Sequence, residues 1–205
     1  MTVLTALVYY PSLAYNLLRH YAQPSSWAWY NRINGNLIVG ALPFKSMAQE
    51  LVQSVGGVVC CVEDIELQAT YMSMDESEWQ KHSVRFHHLP MTDFTGAPSI
   101  EQLNEVSFVS SCFQHNMLEN LQAVAFVRDV QSSGQSVYVH CKAGRTRSAT
   151  IAAAVLMTAD DSLQPSSAVA EIQRHRPQVH LRGSQQRALE GYRAELDKRK
   201  TAVSS

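Results

Sequence analysis

Cys141 and Arg147 stand six positions apart in the run His140-Cys141-Lys142-Ala143-Gly144-Arg145-Thr146-Arg147-Ser148. A thiolate can attack phosphorus, and a guanidinium fork can hold two phosphate oxygens, so this pair suits nucleophilic cleavage of a phosphate monoester. A β-favouring run at 137–140 precedes the cysteine, a glycine-containing turn follows, and a small-residue helical segment leaves at 148–159. Strand, tight loop and helix in that order bring the amides of Lys142, Ala143, Gly144, Arg145 and Thr146 to a helix N-terminus. Free N–H groups and the helix dipole both favour an anion there. Thiols so placed ionise at roughly pH 3.5–7.5 instead of the usual ~8.5. At this chain's composition, Cys, five residues, Arg and then Ser or Thr is expected about 0.04 times, and about 0.002 times with the glycine included. A structural cysteine beside solvated basic residues does not account for the pattern.

Cleaving an alkyl phosphate also requires a proton for the leaving alkoxide, from a carboxylic acid on a separate loop. Asp93 is the candidate, in the Gly/Pro loop at 90–98; the competing reading is a turn-forming aspartate. The same carboxylate can then activate water. Ser148 can hydrogen-bond the sulfur as it departs, a role compatible with capping the helix. His140 is expected to fix loop geometry. Lys142 and Arg145 add two cations, which either serve further anionic groups on the substrate, such as a phospholipid headgroup, or face solvent.

The elements that must carry these groups alternate. Strands are expected at 36–40, 57–62, 84–89 and before Cys141, and helices at 46–54 with Ser46 as N-cap, 165–175 and 184–198. A long helical pattern runs from a Ser99 cap to about Val130, with a break expected at 112–116. This order predicts an α/β fold, a central sheet flanked by helices. Cys60 and Cys61, and likewise His87 and His88, point to opposite faces of their strands. They read as packing residues and not as metal ligands.

A chain of 205 residues, 45% hydrophobic, suits one domain with a short extension. A formal net charge of −1 opposes a general nucleic-acid binder. Four cysteines, two adjacent and none spaced C-x-x-C, make neither a disulfide framework nor a zinc site and fit a reducing compartment. The sequence specifies no oligomeric state. Residues 1–28 are expected to form a targeting or membrane-associating segment, with the domain over 29–200. The stretch before Arg19 is uncharged, no acid occurs before Glu50, and Tyr9, Tyr10, Tyr15, Tyr21, Trp27 and Trp29 cluster there. Secretory and membrane-spanning readings fit poorly. A mitochondrial presequence, a surface anchor and a helix packed on the domain all stay open.

The signature His140-Cys141-Lys142-Ala143-Gly144-Arg145-Thr146-Arg147-Ser148-Ala149-Thr150 resembles that of the mitochondrial dual-specificity-type phosphatases that act on phosphatidylglycerophosphate. Tyr9-Tyr10-Pro11-Ser12-Leu13-Ala14-Tyr15, Trp29-Tyr30-Asn31-Arg32-Ile33, Leu37-Ile38-Val39-Gly40-Ala41-Leu42-Pro43 and Asp93-Phe94-Thr95-Gly96-Ala97-Pro98 extend the likeness over nearly the whole chain. Two elements depart: Glu63-Asp64-Ile65-Glu66 replaces a Glu-Glu-Tyr-Glu element, and Leu181-Arg182-Gly183-Ser184-Gln185 an Ile-Arg-Pro-Ser-Gln one. The helical stretch between Asp93 and Cys141 is longer than the family pattern, with an inserted turn expected around 106–118. The resemblance implies a dual-specificity phosphatase fold and catalysis without metal or other cofactor. It implies Cys141 as nucleophile, Arg147 as phosphate binder and Asp93 as acid. It also implies an anionic phospholipid substrate met by peripheral contact, and a place on the matrix side of the mitochondrial inner membrane in cardiolipin synthesis. Alternatives are a protein tyrosine/serine/threonine phosphatase, a phosphoinositide phosphatase, and a module that binds phosphate without cleaving it. The last is opposed by retention of Cys141, Arg147 and Asp93.

Overall fold

The computed structural model describes residues 3–91 and 123–203. Its centre is β5 (Ser136–His140), flanked by β2 (Leu37–Gly40) and β3 (Val55–Cys60), both parallel to it, with Val139 opposite Val39 on one side and Val59 on the other. Outside these lie β1 (Tyr30–Asn34), antiparallel to β2, and β4 (Arg85–His88), parallel to β3, giving the order β1-β2-β5-β3-β4.

Strands buried on both faces read as continuous apolar runs, which is why Val137-Tyr138-Val139 shows no polar alternation. The period of two still sorts the residues. Leu37, Val39, Val59, Val137 and Val139 join one core cluster, and Ile38, Val58 and Tyr138 join another on the opposite face. The first face is covered by α5 (Ala123–Ser132), α6 (Arg147–Ala159), α7 (Pro165–His175) and α8 (Gly183–Val203). The second packs on α2 (Ala48–Val52) and on Trp79 of α4 (Glu76–Gln80). Ala149, Ala152, Ala153 and Ala154 are fully buried in α6, and these small side chains let neighbouring helices approach it closely. α1 (Val3–Ala22) and α3 (Asp64–Ala69) lie near the C-terminal end of β5, beside the signature loop.

Several expectations shift. The helix expected at 46–54 is a 3-10 turn, Lys45–Met47, followed by the short α2, and Ser46 makes no cap bond. Its start is instead tied sideways: the Lys45 amide donates to the Met72 carbonyl at 2.9 Å, and Phe44 bridges to Ser73. The strand expected at 57–62 begins at Val55 and ends at Cys60, although the Cys61 amide still donates to the His140 carbonyl of β5 at 2.8 Å. β1, α3 and α4 were not foreseen as regular elements. Pro165 opens α7 at its first turn, where a missing N–H costs nothing. Ser99 and the stretches at 112–116 and 106–118 lie outside the described residues. Among the described residues no helix is long and apolar enough to cross a membrane.

Candidate active site

β5 delivers Cys141 to the C-terminal end of the sheet's central strand, and the loop 142–146 returns the chain into α6. Every carbonyl of this loop is bonded to the surrounding frame. Lys142 O accepts from the Leu42 amide (3.2 Å) and Arg145 O from the His180 amide (3.0 Å). Ala143 O and Gly144 O accept from Arg176 Nη2 (3.2 Å) and Nε (2.6 Å), and Thr146 O from the Thr150 hydroxyl (2.9 Å). In a trans peptide the N–H points opposite to its C=O, so tying the carbonyls outward turns the amides of residues 143–147 toward the pocket. That is an anion cradle. Gly144 adopts φ of 64°, and a Cβ there would sit 2.4 Å from the Gly40 backbone, so only glycine fits.

Arg176 holds this frame together. It is 1% exposed, and besides the two loop carbonyls it donates to Ala28 O (2.9 Å) and Asn31 Oδ1 (2.7 Å). Burial pulls its pKa down to about 10.

The cysteine Sγ lies 3.4 Å from Ser148 Oγ. Arg147, 2% exposed, meets Glu66 in a bidentate pair, Nη1 to Oε2 at 2.6 Å and Nη2 to Oε1 at 3.1 Å. Nη1 also donates to Cys61 O (3.2 Å) and Met91 O (2.8 Å). Glu66 is held in turn by a capping box at the start of α3, its carboxylate accepting from the Glu63 amide at 3.0 Å. His140 is fully buried and stacked on Tyr138, and burial drives its pKa down to about 3. A ring held neutral over the whole working range suits the geometric role expected of it. Cys60 and Cys61 are fully buried free thiols, their pKa values pushed up by burial, Cys60 to about 12.

Cys141, Lys142, Ala143, Arg145, Thr146 and Arg147 line one cavity of about 120 Å³, together with His180, Arg182 and three residues of α1: Ser12, Tyr15 and Asn16. Lys142 does not face solvent. It is 3% exposed, its Nζ 5.0 Å from the Tyr9 ring centre, and the Arg145 guanidinium lies 5.4 Å from the Trp27 ring centre. Tyr9 also donates to Glu66 O (3.1 Å) and bonds Thr70, and burial raises its pKa to about 12. The N-terminal helix is therefore packed on the domain and walls the pocket. Asp93 lies outside the described residues. Sequence reasoning gave no role to Arg176, His180 or Asn16, and named Glu66 and Arg182 only within the two elements that depart from the family pattern. The Glu63-x-x-Glu66 capping pattern was a further local signal for Glu66; Arg176, His180 and Asn16 act through distant packing.

Residues 52–195 match the family model described as the dual specificity phosphatase catalytic domain. The chain belongs to the dual specificity phosphatases. It is a cysteine-based hydrolase of the protein-tyrosine-phosphatase superfamily. Among its relatives, phosphatidylglycerophosphatase and protein-tyrosine phosphatase 1 of Mus musculus is 33% identical over 96% of this chain and 93% of its own length. The phosphatidylglycerophosphate phosphatase PTPMT2 of Arabidopsis thaliana is 29% identical over 91% of this chain and 72% of its own length. The solved structure of PTPMT1 in complex with PI(5)P superposes with a TM-score of 0.70 at 33% identity, covering 84% of this chain and 99% of that one.

Proposed function

We propose that this dual specificity phosphatase hydrolyses phosphatidylglycerophosphate to phosphatidylglycerol. The reading is carried by full-length similarity to phosphatases named for that substrate, joined to a loop whose carbonyls are all tied back from an anion site beside Cys141. The Cys141 thiolate attacks phosphorus, the P–O bond to the glycerol breaks, and the alkoxide takes a proton from Asp93. Water then attacks the cysteinyl-phosphate, giving its proton to Asp93, and sulfur departs as thiolate stabilised by Ser148. Arg147 and the amides of the 142–147 loop hold the phosphoryl oxygens in both steps. Met91, two residues before Asp93, already touches Arg147, which supports the acid reaching the site.

The enzyme works at the matrix face of the mitochondrial inner membrane in this proposal. The acid-free N-terminal stretch supports that address. Exposed Tyr10, Tyr15, Leu18 and Tyr21 on α1, with Tyr71 and Met72 beyond α3, support peripheral contact with the bilayer. Phosphate release from vesicles containing phosphatidylglycerophosphate, with Cys141→Ser as control, tests the reading. Release by the wild-type chain alone is expected; activity on phosphotyrosyl peptides with none on vesicles would favour the protein-phosphatase alternative.

A further inference from the structure

Asn16 sits on the pocket-facing side of α1, 2% exposed, and lines the same cavity as Cys141, Arg145 and Arg182. Its Oδ1 accepts from Trp27 Nε1 at 2.8 Å. An indole nitrogen only donates, so this bond fixes which end of the amide is which. The Nδ2 group is buried and has no hydrogen-bond partner. A buried donor left unpaired is costly, and one on a residue that lines a cavity can be completed by what the cavity binds. Trp27 is itself braced between Arg19 and Arg145, at 4.6 and 5.4 Å from its ring centre, so the amide is held rigidly.

The transferred phosphoryl group is already surrounded by the loop amides and Arg147, whereas Asn16 reaches the same cavity from α1, a separate element. We infer that Asn16 is a specificity-determining residue: Nδ2 donates to an oxygen of the glycerol-based headgroup that bears the scissile phosphate. The inference rests on the lipid reading above. Arg145 and Arg182, which line the same cavity, suit the anionic character of such a headgroup. On this inference α1 distinguishes the headgroup from inorganic phosphate where the loop does not.

The test is binding to the full chain in a Cys141→Ser background, by titration calorimetry, with inorganic phosphate and with glycerophosphoglycerophosphate, the deacylated headgroup. Adding Asn16→Ala is expected to weaken the headgroup about tenfold, the scale of one such hydrogen bond, while phosphate affinity changes less than about twofold. Asn16→Asp keeps the acceptor for Trp27 and removes the donor. Its added charge repels both anions, so it is read by the ratio of the two affinities: the headgroup preference should be lost, and this variant serves if Asn16→Ala does not fold. For Asn16→Ala, equal weakening of both ligands would mean a merely structural residue and overturn the inference, as would unchanged headgroup affinity. A headgroup bound no more tightly than phosphate before Asn16 is altered overturns the lipid reading together with this one. A preference that survives both substitutions overturns Asn16 alone.

Discussion

Arg147 shows how a single residue is prepared for its work. Its fork is matched edge to edge by a carboxylate that is itself 2% exposed, with two backbone carbonyls beside it. Removing one partner of a buried ion pair costs more than the pair contributes, because the other charge stays behind. Glu66→Gln keeps the shape and one acceptor but loses the charge. It is expected to lower stability by about 2–3 kcal/mol in urea unfolding and to lower kcat/KM on aryl phosphates roughly tenfold, as the guanidinium loses its fixed orientation. An unchanged kcat/KM would mean that Glu66 does not position Arg147.

At the scale of elements, β5, the loop and α6 were legible because their signals are local: an apolar run, a glycine that must take positive φ, and a small-residue helix. The capping box of α3 was also local but too short to announce a helix. α1 was not legible in the same way, since an uncharged, Tyr-rich stretch reads alike as a presequence, an anchor or a packed helix. What decides between them is long-range: Tyr9 on Glu66 and Lys142, Trp27 on Arg145. α1 is therefore expected to matter to chemistry as well as to location. A chain lacking residues 1–22 should lose at least tenfold in kcat/KM on soluble p-nitrophenyl phosphate, because Lys142 and Glu66 lose their support. Vesicle binding should fall as well. Full retention of aryl phosphatase activity would show that the helix only anchors.

For the whole molecule, the near-neutral charge conceals a cationic pocket and a core that must keep its histidines neutral. His140 and His87 have pKa values depressed by burial, to about 3 and about 4. Their unfolded counterparts titrate near ~6.5, so the unfolded chain binds more protons between these limits and stability rises with pH there. This contribution is complete above about pH 6.5 and is lost as pH falls toward about 3–4. The thermal midpoint should therefore drop between pH 6.5 and 4, and His87→Asn should flatten part of that slope; an identical slope would remove His87 from the explanation.

In the proposed reaction the phosphoryl group passes through the Cys141 sulfur. The direct measurement is mass spectrometry of the peptide bearing Cys141 after rapid quenching of Asp93→Asn protein turning over p-nitrophenyl phosphate. This substrate needs little help from the acid in the first step, but the variant lacks the base for the second. One phosphoryl group is expected on the Cys141 sulfur during turnover and none in Cys141→Ser, which should also be inactive. Turnover persisting in Cys141→Ser, or a phosphoryl group found on another residue, would contradict it.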